Sequence, residues 1–239
     1  MLVLNTTILV VLLLVLLGSG LYTGLALAGV GTVGLEFMRK LGGVIGAVLF
    51  NSINNYILAA VPMFLILSEI VLHSGLSARL YRGVSKWTSV IPGGLLHTNI
   101  VACSIFAGVC GSSPATAATI GLVSYPEERA RGYSPRMITG SLSAGGTLGI
   151  LIPPSINMIV YGAFVGASVG RLFAGGIIPG IILALMFMLY IGFASLRNKS
   201  LAPPPERVTK HYFLDAIVAW KDVLPMLMII VLVMGSIYG

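Results

Sequence analysis

Long uncharged stretches separated by short charged clusters set the pattern of this chain. The first 35 residues carry no charge, and further uncharged runs cover 41–68, 87–126, 137–170 and 172–196. An apolar run of about 20 residues spans the hydrocarbon of a bilayer as a helix, so the pattern predicts a polytopic helical membrane protein. As one helix, residues 1–35 would run about 52 Å against a core of about 30 Å. They form either two passes or one pass and an interfacial piece, with Gly18, Gly20 and Gly24 near the join. Residues 41–55, which carry Asn51, Ser52, Asn54 and Asn55, are predicted at the interface, and 56–73 as a span with Pro62 inside it.

Two of the runs contain breaks. In 87–126, Pro92-Gly93-Gly94 removes the front, and Gly111-Ser112-Ser113-Pro114 divides the remainder into arms of about 16 and 11 residues, each too short to span. The prediction is a re-entrant hairpin over 95–125, tolerated at membrane depth only inside protein or beside a cavity. In 137–170 the pair Pro153-Pro154 interrupts the helix, because proline removes a donor and clashes with the preceding turn. One pass over 134–168 made of two half-helices, unwound between 148 and 155, is expected. Then come a span at 171–196, a soluble linker with Pro203-Pro204-Pro205 and an interfacial helix within 197–222, and the start of a last helix at 223–239.

Composition adds to this picture. Charged residues make up 9% of the 239, against about 25% in soluble domains, and mean hydropathy is +1.01. The net charge of +7 does not indicate nucleic acid, since eleven of the fourteen Lys and Arg lie in the loops 79–86, 129–136 and 197–221. The positive-inside rule places those loops in the cytoplasm, and Arg39, Lys40 and Arg171 on the opposite side. Residues 75–94 are then a cytoplasmic amphipathic connector. Cys103 and Cys110 are seven residues apart in a helix, about 10 Å, too far to form a disulfide. No Cys/His/acid cluster suggests a metal site or resident cofactor.

The breaks carry the candidate chemistry. Half-helix N-termini attract anions, and unwound carbonyls coordinate Na⁺ in secondary transporters. Ser112, Ser113 and Thr116 supply hydroxyls at the first break, and Thr147, Ser155 and Asn157 flank the second; Pro114 and Pro154 each precede a new helical arm. Glu69 is read as pairing with His73 near a helix end, and His97 as a boundary histidine held by a headgroup or carbonyl. Asn54 and Asn55 are read as capping or interhelical groups. Glycines spaced by four, Gly162/Gly166/Gly170 and Gly176/Gly180, signal close helix packing. An intramembrane serine enzyme is the rival class, disfavoured because no Gly-x-Ser-x-Gly string occurs and His97 lies a full arm, about 20 Å or more, from the serines. A channel would need a symmetric ring of charge or carbonyls, which the chain does not offer.

Several strings in order carry a resemblance: Ala60 to Phe64 (AVPMF), Pro92-Gly93-Gly94, Gly111 to Ala117 (GSSPATA), Arg131-Gly132-Tyr133, Gly145 to Ser155 (GGTLGILIPPS), Tyr161-Gly162, Ser168 to Gly170, Leu172 to Gly175, and Pro179-Gly180. Together they resemble the large membrane (permease) subunit of tripartite ATP-independent periplasmic (TRAP) transporters, the DctM-like family, over its N-terminal half. The resemblance implies an elevator-type fold in which this chain is one of two inverted-repeat halves, with residues 1–74 scaffold-like and 95–170 the transport core. It implies import of organic acids (a C4-dicarboxylate, sialic acid or similar carboxylate) with Na⁺ as coupling ion, and no enzymatic activity or cofactor. The implied partners are a small TRAP membrane subunit, a periplasmic substrate-binding protein and membrane lipid, in the bacterial cytoplasmic (inner) membrane. It places Na⁺, mostly on backbone oxygen, at Ser112, Ser113, Gly149, Ile152 and Pro154. Pro114, Thr116, Thr147, Ser155 and Asn157 are the substrate-facing candidates. The second hairpin and second broken helix of the family are missing from the sequence, so it reads as a fragment whose complete form transports. The alternative is a non-transporting scaffold subunit. Glu128 stands where an apolar residue is expected and is read as a loop adjustment.

Overall fold

The computed structural model describes residues 2–38, 42–205 and 212–238, all helices and turns. Arg39, Lys40, Arg207 and Lys210 of the charge count lie outside the described residues. The chain divides into two compact units, 1–55 and 56–239.

In the first unit, α1 (Leu2–Gly18) and α2 (Thr23–Val33) pack against each other across a turn at Ser19 to Tyr22. Gly20 takes a positive φ of 81° there, so the break falls at the predicted join. The short helix α3 (Ile45–Ile53) follows and ends at Asn54, whose N–H donates to the Phe50 carbonyl.

In the second unit, a 3-10 turn at Tyr56–Ala59 leads into α4 (Ala60–His73), then α5 (Leu76–Thr88), α6 (Leu95–Cys110), α7 (Ser113–Ala130), α8 (Pro135–Leu151), α9 (Ile156–Val165), α10 (Val169–Arg197) and α11 (Tyr212–Tyr238). Four segments among the described residues are long and apolar enough to cross a membrane: Tyr56–His73, Pro135–Val165, Val169–Arg197 and Leu214–Tyr238. Outward residues such as Leu189, Ile178 and Leu232 are exposed large hydrophobics, the surface that lipid covers. The chain is a multi-pass helical membrane protein.

The first arm of the hairpin, α6, is the innermost helix of this unit. It packs against α4, α5, α7, α8, α10 and α11, and Leu95, Leu96, Ile100, Cys103 and Phe106 are fully or almost fully buried. A helix apolar all round is one buried on every side. Both cysteines are free and buried, and Cys110 Sγ accepts a hydrogen bond from Ser68 Oγ at 2.9 Å. His97 is buried with Nε2 2.8 Å from the Pro92 carbonyl, the carbonyl alternative of the two expected for it. Glu69 and His73 form the exposed i,i+4 pair at 3.0 Å.

Three boundaries differ from expectation. The second arm α7 runs 18 residues rather than 11, because Pro126 is carried inside the helix and α7 ends only at Ala130. The unwound segment is four residues, 152–155, since α8 holds its helix to Leu151. Tyr212–Tyr238 is one continuous helix through Pro225, where an interfacial helix and a separate span were predicted.

That last difference follows from packing. Helix α5 turns Ser77, Leu80, Tyr81, Val84 and Thr88 inward at helical spacing and keeps Arg79, Arg82 and Lys86 on its other faces. Helix α11 lies along it, fastened by Trp87 Nε1 donating to the Ala216 carbonyl at 3.0 Å and by Arg79 against Asp222 at 3.2 Å. The chain's two tryptophans, Trp87 and Trp220, have ring centroids 4.8 Å apart. At the crossing, a Cβ on Gly83 would stand 2.7 Å from Val223 and 3.0 Å from the Ala219 carbonyl. Gly83→Val should therefore push the helices apart at a cost of about 1–3 kcal/mol. Since both tryptophans sit in this seam, a shifted emission spectrum with a lowered Tm is the expected result; an unchanged spectrum would refute the seam.

Candidate functional site

The site is assembled where four helix ends meet. Gly111, in the left-handed region at φ 59°, stops α6, and Ser112 in extended conformation starts α7 with proline in its first turn. This turn sits in the gap of the broken helix. Ile156 N–H, the first of α9, donates to the Gly111 carbonyl at 3.3 Å. A Cβ on Gly111 would stand 2.9 Å from that nitrogen and 3.1 Å from the Pro154 oxygen, so the tip needs glycine for conformation and for space.

The approach from α8 is as close. A Cβ on Gly149 would be 2.9–3.0 Å from the Ser112 carbonyl group and 3.0 Å from Ser113 N, and one on Gly146 would be 2.7 Å from Ala117 Cβ. On the far side, a Cβ on Gly176 would meet the Leu151 carbonyl at 2.6 Å, and one on Gly180 would meet Ile152 at 2.9 Å. The unwound segment is thus clamped between the hairpin tip and α10. The Gly176/Gly180 pair is a seam inside the chain. Of the other glycine series, Gly162 packs on Val169 and Leu172, while Gly166 serves as the left-handed cap of α9.

The polar groups follow from this geometry. The ends of α6 and α8 present carbonyls, and the starts of α7 and α9 present N–H groups, giving partial negative and positive charge side by side. Among the described residues, the carbonyls of Ile152, Pro153 and Pro154 accept no backbone hydrogen bond. The hydroxyls of Ser113, Thr116 and Ser155 are buried and without a hydrogen-bond partner. Buried polar atoms are nearly always satisfied, so these hydroxyls at the tip, one turn into α7 and at the start of α9 have bonds still to make.

Of the residues singled out in the sequence, Ser112, Ser113, Thr116, Gly149, Ile152, Pro154 and Ser155 converge on the tip or the break. Pro114, Thr147 and Asn157 do not enter the cluster: all three are exposed, and Thr147 Oγ1 donates back to the Ala144 carbonyl of its own helix. Gly108, Gly146, Gly176 and Gly180 complete the enclosure, and the sequence did not assign them to it; only Gly176 and Gly180 carried a spacing signal. Cavities of about 410 and 550 Å³ lie elsewhere, one along α8 and α10 beside Arg136 and Tyr190, the other near Tyr56 and Phe173. Glu128 is no loop adjustment: it is fully buried, on a turn of α7 that the sequence placed in a loop.

Comparison with known proteins agrees with the geometry. The family described as "Tripartite ATP-independent periplasmic transporter, DctM component" matches residues 8–239. The chain is 38% identical over 192 residues to the C4-dicarboxylate TRAP transporter large permease protein DctM of Vibrio cholerae, covering 80% of this chain and 41% of that protein. It is 32% identical over 223 residues to the isethionate TRAP transporter permease protein DctMQ of Oleidesulfovibrio alaskensis, covering 93% and 33%. The ectoine TRAP transporter large permease protein TeaC of Halomonas elongata is 31% identical over 182 residues, covering 76% and 42%. The chain spans less than half the length of these relatives, which are transporter permeases rather than enzymes. A hairpin tip seated in a Pro-Pro break, on a sequence matched almost end to end by one family, places the chain in the DctM family of TRAP transporter large permeases.

Proposed function

We propose that this chain provides one half of the ion and substrate site in a Na⁺-coupled, binding-protein-dependent importer of organic acids. One observation carries the reading: buried, unpartnered hydroxyls and free carbonyls gathered where the hairpin tip enters the broken helix. Oxygen donors without net charge suit Na⁺, a hard cation, with the ligands coming mostly from the backbone at Ser112, Ser113, Gly149, Ile152 and Pro154. The N–H groups opening α7 and α9 suit a carboxylate. The buried Thr116 and Ser155, with Pro114, Thr147 and Asn157 on the exposed surface, are the substrate-facing candidates. The relatives named for C4-dicarboxylate, isethionate and ectoine support a small polar organic solute, and among these we favour a carboxylate.

In this reading α6–α7 is a re-entrant hairpin and moves with the broken helix as one body of an elevator. The second half of the site comes from the remaining length that the relatives possess, which makes the chain a fragment of a larger permease. A small membrane subunit and a periplasmic binding protein complete the system in the bacterial inner membrane.

The test is uptake of labelled organic acids into proteoliposomes, with and without an inward Na⁺ gradient. This chain and a form extended to the relatives' length are compared, each with small subunit and binding protein. Na⁺-driven uptake by the extended form alone is the expected result. Uptake by the short chain would overturn the half-site reading, and none by either would favour a scaffold subunit.

A further inference from the structure

Glu128 is the one acidic side chain among the described residues that is fully buried. It lies near the end of α7, outside the spanning segments, where α5, α6, α7 and α8 come together. Tyr81 of α5, also fully buried, donates its hydroxyl to Glu128 Oε1 at 2.9 Å. The other oxygen, Oε2, has no hydrogen-bond partner. Beside it, the fully buried Asn99 of α6 donates Nδ2 to Ser141 Oγ of α8 at 2.8 Å, while its own Oδ1 lacks a partner. Ser124 Oγ, one turn before Glu128, is likewise buried and unpartnered.

Ser124 Oγ and the second Asn99 N–H are neutral donors beside the carboxyl, and the Asn99 oxygen is an acceptor left over. A carboxylic acid at Glu128 can give its O–H to that oxygen, whereas a carboxylate has no proton to give. Among the described residues, no basic side chain acts on the carboxyl. The titratable groups facing the carboxyl are Tyr81 from α5, Cys103 from α6, Glu127 on α7 itself and, through Tyr81, Tyr133 of the following turn. Helix α8 contributes Ser141, which does not titrate. All of these are neutral or negative.

We propose that Glu128 is a proton-binding site that fastens the connector helix α5 to the hairpin core, and that losing the proton loosens this attachment. Desolvation pushes the carboxyl up from 4.5 to about 7, against the opposing hydrogen bond from Tyr81. Burial and the neighbouring Glu128 raise the Tyr81 phenol well above its ordinary range, so it remains a donor throughout. The folded carboxyl thus keeps its proton to about pH 7, whereas the unfolded chain releases it near 4.5. Its contribution to stability is complete below that lower value and is lost as pH rises through the folded one.

The test uses the full chain in lipid nanodiscs at pH 6 and pH 8. Infrared difference spectra are expected to show a protonated-carboxyl C=O band that disappears with a midpoint near neutral pH and is absent from Glu128→Gln. Amide hydrogen exchange, corrected for its intrinsic pH dependence, should show protection over residues 76–88 falling about tenfold between the two conditions in the native protein. Glu128→Gln, which presents a permanent N–H donor in the same place, should keep that protection at both. Glu128→Met, apolar and similar in length, serves should the glutamine variant fail to fold, and should also give a flat response. A band that persists in the variants, or an α5 protection whose pH dependence they share, would overturn the proposal.

Discussion

Gly149→Ala is expected to weaken Na⁺-driven uptake, with apparent Na⁺ affinity reduced by about 10- to 100-fold. The added methyl would stand 2.9–3.0 Å from the Ser112 carbonyl group and Ser113 N, which are backbone atoms that cannot rotate away as a side-chain end can. Either α8 or the tip must shift by several tenths of an ångström. Overpacking of this kind costs about 1–3 kcal/mol, and 1.4 kcal/mol is a factor of ten in affinity. Gly140→Ala is the control on the same helix. Nothing lies within 4 Å of its Cβ, and alanine favours helix by up to about 1 kcal/mol over glycine. Na⁺-dependence curves from the extended permease with its partners separate the two. Equal curves would show that the contact between α8 and the tip does not shape the proposed ion site.

The second large effect concerns folding. Gly94→Ala is expected to destabilise the protein by about 2–5 kcal/mol, on the order of ten degrees in Tm. Gly94 has φ 45° and ψ −118°, a conformation that glycine alone adopts comfortably, and a Cβ there would overlap Tyr133 Oη. The phenol cannot retreat, because its oxygen accepts the Leu95 N–H at 3.0 Å in a buried place and so satisfies the start of α6. Gly75→Ala separates the two causes. Gly75 also has a positive φ, 74°, but open space around it, so the loss there should be confined to backbone strain. Similar losses at both positions would remove any special role for the Tyr133 contact.

Much of this organisation was legible in the sequence for identifiable reasons. Pro153-Pro154 and Gly111 to Pro114 interrupt runs that must otherwise be helical, so both breaks could be placed to within a few residues. The tip–break contact carries a readable signature in glycines, but which face each glycine serves was not readable. Gly176 and Gly180 back the break whereas Gly166, in the same four-residue spacing, only ends a helix. Charge misled in the other direction, since the expected ends fell where the uncharged runs meet Glu127 and Asp222, while α7 and α11 continue past both and through Pro126 and Pro225. A proline within a helix that packing holds on several sides is tolerated, and both helices continue through it. Thr147 and Asn157 were chosen for their chemistry and proximity to the break, but helical phase turns both to the surface. Glu128 was hidden for a different reason: its neighbours Glu127, Arg129 and Arg131 are those of a solvated loop, and only the packing of α5 across it makes it interior.

The hydrogen bond from Ile156 N–H to the Gly111 carbonyl also bears on biosynthesis. The partner that completes the hairpin tip lies 45 residues further along the chain. While the ribosome is still making α8, the tip has been produced but the segment that encloses it has not. During that interval the Gly111 carbonyl and the hydroxyls of Ser113 and Thr116 have no protein cover, and hydrocarbon would not accept them. If α6–α7 is re-entrant as proposed, the nascent hairpin must wait in water, at the interface or in the care of the insertion machinery, entering the membrane together with α9 and not before it. Ribosome-stalled chains ending before and after residue 156 should accordingly differ in the accessibility of a cysteine placed at Ser112.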